Sequence, residues 1–162
     1  MKNNNIIYYK TTYKSPLGEL TIASDTDNIT GVWLKGQKYF EESIKDNTVY
    51  ENNNLKVLIQ TKEWLNRYFN KETPEISEIP MAPAGTHFQL DVWNILCKIP
   101  YGKTMTYKEI AEILANKYNK KSMSAQAIGG AVGHNPIAII IPCHRVIGSN
   151  GKLTGYTGGL NN

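Results

Sequence analysis

Residues 139–160 read "IIIPCHRVIGSNGKLTGYTGGL", placing Cys143 and His144 directly after an apolar run and a proline. Cysteine chemistry runs through the thiolate, and an unperturbed thiol of pKa about 8.5 is only a few per cent ionised at pH 7. A Cys143 that attacks carbon therefore needs a base or a positive charge beside it. His144 is adjacent, yet neighbours in an extended segment point to opposite sides, which argues against a direct hydrogen bond between the two. Two plainer readings stand beside the nucleophile: a small buried hydrophobe, or half of a disulfide.

Composition narrows these choices. The chain has 162 residues, 41% hydrophobic and 20% charged, the balance of a globular protein with room for one ordinary domain or two small ones. Its longest apolar run, Ile137 to Pro142, is too short to span a bilayer. The start "MKNNNIIYYK" lacks the apolar core and cleavage site of a signal peptide. A cytoplasmic protein without membrane association is expected. In that reducing compartment Cys97 and Cys143 are expected as free thiols. Two cysteines and three histidines (His87, His134, His144) without a C-x-x-C pair argue against a metal site.

The net charge of +4 is unevenly placed. Residues 1–82 carry ten Lys/Arg against eleven Asp/Glu, net −1, and residues 83–162 carry eight against three, net +5. All the excess positive charge lies in the half that holds Cys143, which suits a polyanionic partner and equally a solvated basic surface.

The first part of the chain reads as antiparallel sheet. "IIYYKTTYKS" and "GELTIAS" are strand-like around the turn "SPLG", and "ITGVWLKG" follows as a third strand. In "LKVLIQTKEWLNRYFNK" the residues Leu55, Leu58, Ile59, Leu65, Tyr68 and Phe69 keep near-helical spacing. The proline-rich "ETPEISEIPMAPAG" reads as a linker. Beyond it the chain turns helical. "THFQ" predicts a capping box with Thr86 at the cap and Gln89 reaching back, opening a helix that buries Phe88, Val92, Leu96 and Ile99. "TYKE" repeats the device with Thr106 and Glu109, and Tyr107, Ile110, Ala111 and Leu114 form the inner face.

A lysine-bearing loop, "NKYNKKSMS", then leads into "AQAIGGAVGHN". Ala125, Ile128 and Val132 fit one helical face, but Gly129, Gly130 and Gly133 lie in or at the end of the same helix. Each interior glycine costs a helix roughly 0.8–1 kcal/mol relative to alanine. Something must approach this backbone closely: either another helix of the same protein, or nucleic acid on the second helix of a helix-turn-helix. The loop is longer than a usual helix-turn-helix turn.

Taken together, "SPLGELTIAS", "GVWLKGQKYF", "GTHFQLDVW", "IPYGKTMTY", "GGAVGHNP" and "IPCHRVIGSNGKLTGYTGGL" make the chain resemble the O6-alkylguanine-DNA alkyltransferases. The likeness covers most of the chain. It implies an α+β protein: a small N-terminal antiparallel-sheet α/β domain of ribonuclease H-like type over residues 1–82, then a helical, helix-turn-helix-type DNA-binding domain over residues 83–162 that carries the reactive cysteine. It implies a monomer that moves a methyl or larger alkyl group from O6 of guanine, and from O4 of thymine, in DNA onto its own Cys143, once and without a cofactor.

The resemblance also assigns roles. His144 acts on Cys143 through a water, and Asn135 braces the turn before the active segment. Tyr107 donates a proton to the departing guanine, while an interior helix aromatic remains its plainer reading. O6 of a paired guanine is inaccessible, so the nucleotide is extruded through the minor groove. Gln126 stands where many relatives carry an arginine that fills the vacated space. Lys108 and Ser149 align with phosphate-contacting positions, and Tyr107 also faces DNA. Val132, Val146, Tyr156 and Thr157 line the base pocket, although Ser149-Asn150-Gly151 also reads as a plain hairpin connection. The family continues past "GGL" into a helix whose glutamate orients the histidine; this chain ends at Asn162, so a less well-oriented His144 is expected.

Two other functional classes fit parts of the pattern. A lesion binder without transfer activity would have the DNA-binding features, but related binders lack the cysteine that stands here at 143. A helix-turn-helix regulator that senses alkylation or oxidation through Cys143 would be expected to bring a dimerisation element or a second DNA module.

Overall fold

The computed structural model describes residues 6–148, which divide into two compact units between Ala84 and Gly85. Each is built around its own core. The positions of Ser149, Tyr156 and Thr157 lie outside the described residues.

In the first unit β1 (Ile7–Ser15), β2 (Gly18–Ser24) and β3 (Ile29–Leu34) form the expected antiparallel meander. The β1–β2 turn needs Gly18 at φ +125°, and Ser15 Oγ closes it by accepting from the Leu17 amide and donating to the Gly18 carbonyl. The β2–β3 turn is held by Asp25 Oδ1, which accepts from the amides of Asp27 and Asn28 at 2.8 and 2.7 Å. A fourth strand, β4 (Thr48–Glu51), was not foreseen. It crosses to the far edge and pairs parallel with β1, so the sheet order is β3-β2-β1-β4 and the sheet is mixed.

Helix α1 (Lys56–Phe69) packs against β1 and β2. Its buried residues are Val57, Leu58, Thr61, Trp64 and Leu65, whereas Ile59 is exposed and Leu55, Tyr68 and Phe69 are only partly covered. The expected face was therefore rotated. Thr61 tolerates burial because its hydroxyl donates to the Val57 carbonyl one turn back, at 2.8 Å. Trp33 folds its ring over Gly31 on its own strand and packs with Ala23 and Ile44.

The proline-rich segment is not a loose linker. Trp64 Nε1 donates to the Glu75 carbonyl at 2.7 Å, Arg67 pairs with Glu78, and the Ile29 amide donates to the Pro80 carbonyl at 2.8 Å. Ile79 is buried. Most of the segment thus belongs to the first unit.

The second unit contains α2 (His87–Leu96), α3 (Tyr107–Lys117) and α4 (Ala125–Gly133), with a small parallel pair of strands, β5 (Met105–Thr106) and β6 (Val146–Ile147). Both capping boxes form: Thr86 Oγ1 accepts from Gln89 and Thr106 Oγ1 from Glu109, with the return bonds at 3.0 and 2.8 Å. Val92, Leu96 and Ile99 are buried as expected, Phe88 is half-buried, and Trp93 joins the core. Trp93 Nε1 donates to the Ala131 carbonyl at 2.8 Å, tying α2 to α4. The buried Asp91 carboxylate, two residues earlier on α2, ties that helix to the C-terminal end of α3. It accepts from Tyr118 Oη at 2.5 Å and Lys117 Nζ at 3.1 Å, and these hydrogen bonds hold it below the usual carboxylate range.

Candidate active site

Cys143 opens a short 3₁₀ turn, Cys143–Arg145, and is 5% exposed. The chain reaches it through a buried, irregular stretch from Asn135 to Pro142. Buried irregular backbone must satisfy its polar groups locally, and here it does so in three ways. Asn135 spans the stretch: its Oδ1 accepts from the Ile137 amide and its Nδ2 donates to the Ile141 carbonyl, both at 2.9 Å. Ile139 sits at φ +72°, and the Ile140 amide donates across it to the Ala138 carbonyl at 2.8 Å. That is the direct γ-turn, the rarer and strained form. Pro142, at φ −82° and ψ 68°, forms an inverse γ-turn, with the Cys143 amide donating to the Ile141 carbonyl at 2.8 Å.

Two further ties fix the cysteine turn from its far side. Arg145 Nη1 donates to the Ile99 carbonyl at 2.7 Å, and its guanidinium lies 5.4 Å from the centre of the Tyr101 ring. Val146 pairs with Met105 in the β5–β6 ladder, one residue before the Thr106 cap of α3. The same small ladder therefore positions Cys143 and Tyr107, whose segments lie far apart in sequence.

Burial dominates the electrostatics. It pushes the Cys143 thiol up to about 11, against a smaller opposing effect of the hydrogen bond from Asn135. Burial, with the positive charge of Arg145 adding to it, pulls His144 down to about 4. Both groups are neutral at pH 7 in the protein without DNA. Cys97 and Cys143 are both free thiols, and burial raises Cys97 as well.

The remaining expected residues that the structure describes fall on α3, α4 and β6. Tyr107 is the first residue of α3 and is buried, and its Cε1 lies 3.8 Å from where a Cβ on Gly129 of α4 would stand. Val132 on α4 and Val146 on β6 are buried. Lys108 is exposed on α3 and lines an open depression with Glu112, Lys121 and Ser122. Gln126 is exposed in the first turn of α4.

The outer face of α4 separates the two readings of its glycines. Ala125, expected on the inner face, is exposed, as are Ala127 and Gly130. A Cβ added at Gly130 meets no atom of the described residues within 4 Å, and at Gly129 it meets only an ordinary contact. Among the described residues, packing does not require either glycine. Sequence reasoning did not find Trp93 as the tie to α4, nor the γ-turn at Ile139. A β-branched residue in a left-handed conformation leaves no sequence signal.

Comparison with known proteins assigns both parts of the chain to one family. Residues 8–83 match the family model described as "6-O-methylguanine DNA methyltransferase, ribonuclease-like domain", and residues 87–162 match "6-O-methylguanine DNA methyltransferase, DNA binding domain". The chain is 42% identical to a methylated-DNA–protein-cysteine methyltransferase of Methanosarcina acetivorans, over 94% of this chain and 91% of the relative. It is 40% identical to the protein of that name from Haemophilus influenzae, over 94% of this chain and 80% of the relative. Among solved structures, Mycobacterium tuberculosis OGT in complex with DNA superposes with a TM-score of 0.75 at 38% identity, covering 94% of this chain and 85% of that one. The chain belongs to the 6-O-methylguanine DNA methyltransferase family.

Proposed function

We propose that this protein repairs DNA by direct reversal, transferring an alkyl group from O6-alkylguanine, and from O4-alkylthymine, to Sγ of its own Cys143. The observation that carries this reading is Cys143 itself: a buried thiol on a braced turn, in the unit that matches the family's DNA-binding domain.

In the reaction the Cys143 thiol gives up its proton through a water to His144, and the sulfur attacks the alkyl carbon. The S–C bond forms as the C–O6 bond breaks, and the electron pair leaves with the guanine. Tyr107 supplies a proton at N3 of the departing base, so that neutral guanine remains in the DNA. The thioether on Cys143 has no ordinary reversal, and each molecule acts once. No cofactor enters the balance.

Delivery of the lesion follows from the outer face of α4. With glycine at 129 and 130, its backbone suits the narrow minor groove, and the target nucleotide is extruded at a cost of a few kcal/mol. Gln126, at the exposed start of α4, fills the vacated space and forms hydrogen bonds there without bringing charge. Lys108 contacts phosphate, as does Ser149. The base pocket is formed by Val132, Val146, Tyr156 and Thr157. The protein acts as a cytoplasmic monomer.

The test is incubation with a duplex bearing O6-methylguanine, followed by peptide mass mapping. One methyl group is expected on the peptide holding Cys143 and none on Cys97. Turnover of excess substrate, or full activity of Cys143→Ala, overturns the reading.

A further inference from the structure

We propose that Ile139 is a positioning residue for alkyl transfer: its buried side chain holds the left-handed turn that fixes the Ile141 carbonyl, and through that carbonyl the backbone of Cys143. The inference rests on the alkyl-transfer reading above and adds to it a residue outside the Cys-His-Asn-Tyr set.

Among the described residues, the other non-glycine positions with positive φ are Tyr39, Glu41, Lys71, Thr73 and Asn119, none of them buried. Ile139 differs in being 3% exposed and aliphatic. A β-branched residue is the least suited to this backbone region, and glycine would occupy it without steric cost. Such a conformation persists only where the surroundings over-determine it, and these outliers gather at functional sites.

The surroundings that hold it are visible. If Ile139 relaxed to negative φ, the Ile140 amide and the Ala138 carbonyl would separate, and both residues are buried away from replacement partners. The next amide in line, that of Ile141, donates to the Ile137 carbonyl at 3.1 Å, so the turn is closed on both sides of Ile139.

The consequence falls on one atom. The Ile141 carbonyl oxygen accepts from Asn135 Nδ2 at 2.9 Å and from the Cys143 amide at 2.8 Å, which uses both of its lone pairs. A small rotation of this peptide breaks both bonds together and releases the start of the 3₁₀ turn that carries the thiol. Ile139 lies two residues before that carbonyl and sets the direction of the chain into it. The branched side chain seated in the core thus replaces the conformational freedom that glycine would bring with a single geometry.

The test uses the full chain with Ile139→Gly and Ile139→Val in single-turnover transfer from an O6-methylguanine duplex over a range of DNA concentrations. The maximal rate constant of Ile139→Gly is expected to fall about tenfold or more with half-saturation little changed, since small misplacements of a reacting group are costly. Ile139→Val, which keeps the branch, should stay near the parent. A residue important only for folding would reduce the final yield of alkylated Cys143 and leave the rate constant of the active fraction alone. If Ile139→Gly does not fold, Ile139→Ala replaces it with the same expected loss. A maximal rate constant within about twofold of the parent overturns the inference. Carbamidomethylation of Cys143 by iodoacetamide, without DNA, separates this from the function itself. A parent that transfers no methyl group overturns the proposed function, and what is left of the inference, that Ile139 holds the backbone of Cys143, then stands if Ile139→Gly raises the carbamidomethylation rate severalfold and falls if it does not.

Discussion

The buried, neutral state of Cys143 sets a pH dependence that can be worked out in advance. With the thiol pushed up to about 11, the thiolate fraction in the DNA-free protein at pH 7 is about one in ten thousand. If the attacking thiolate is drawn from this equilibrium, the transfer rate rises about tenfold per pH unit, hence roughly 100-fold between pH 6.5 and 8.5. His144 adds no second inflection in this window: held down at about 4, it passes on to solvent the proton it takes from the thiol and is neutral at every pH in the range. Stability bounds the window on both sides. The raised thiol contributes stability that is fully present below its unfolded value near 8.5 and is lost as pH climbs through about 11. The depressed histidine contributes stability present above about 6.5 and lost as pH falls through about 4, an effect of about 3 kcal/mol at most. The assay is rapid-quench single-turnover transfer from an O6-methylguanine duplex at saturating DNA, read as methyl on the Cys143 peptide from pH 6.5 to 8.5. A flat profile would refute the reasoning: the proton taken from the sulfur would then stay on a group inside the complex, and the DNA-free protonation state would not control the rate.

Three other substitutions separate folding from function. Gly130→Ala places a methyl group where the described structure has open space, so it should raise helix stability by up to about 1 kcal/mol and yet weaken DNA binding; thermal unfolding and fluorescence anisotropy read the two effects, and unchanged affinity would remove this face of α4 from the DNA contact. Gln126→Ala should slow repair of duplex DNA while leaving reaction with free O6-methylguanine base nearly unchanged, and equal losses on both substrates would make Gln126 a folding residue. Gly31→Ala would put a Cβ 2.0 Å from the Trp33 ring and should cost about 3 kcal/mol in denaturant unfolding. A loss under about 1 kcal/mol would mean that the Trp33 ring can move aside.

Local signals in the sequence carried well into the structure, and non-local ones did not. The capping boxes at Thr86 and Thr106 are closed by residues three positions away, so the pattern and the hydrogen bonds are the same information. The turns at Ser15–Gly18 and Asp25–Asn28 are equally local. β4 is different. "TVYE" is four residues between polar flanks, and only its long-range parallel pairing with β1 makes it a strand. The proline-rich segment was misleading for the same reason, since its carbonyls accept from Gln60 and Trp64, side chains on a helix already formed. On α1, Thr61 and Trp64 displaced Ile59 from the core because a hydroxyl and an indole N–H each found a partner, which hydrophobic periodicity does not count.

The same division runs through the site. Cys143 was legible because the residue types around it are chemical: a thiol, an imidazole, a guanidinium and a preceding proline. The glycines of α4 were legible as a cost without a visible return, and the structure narrows the explanation by leaving Gly130 open. What joins the two is not written in residue types. By composition, the stretch from Ile137 to Ile141 cannot be told from a buried strand. Folded, it is a chain of tight turns in which one asparagine side chain and one doubly accepting carbonyl replace a whole ladder of hydrogen bonds. A strand would have extended past the cysteine and alternated it with its neighbours. The turns stop the chain instead, and the 3₁₀ segment that follows is held by Arg145 on one side and by the β5–β6 ladder on the other. An uncharged thiol gains no electrostatic help from such a cage before DNA arrives. What the cage supplies is position: the small ionised fraction keeps Cys143 slow to react with anything else, and the fixed sulfur is fast only towards an alkylated base presented to it.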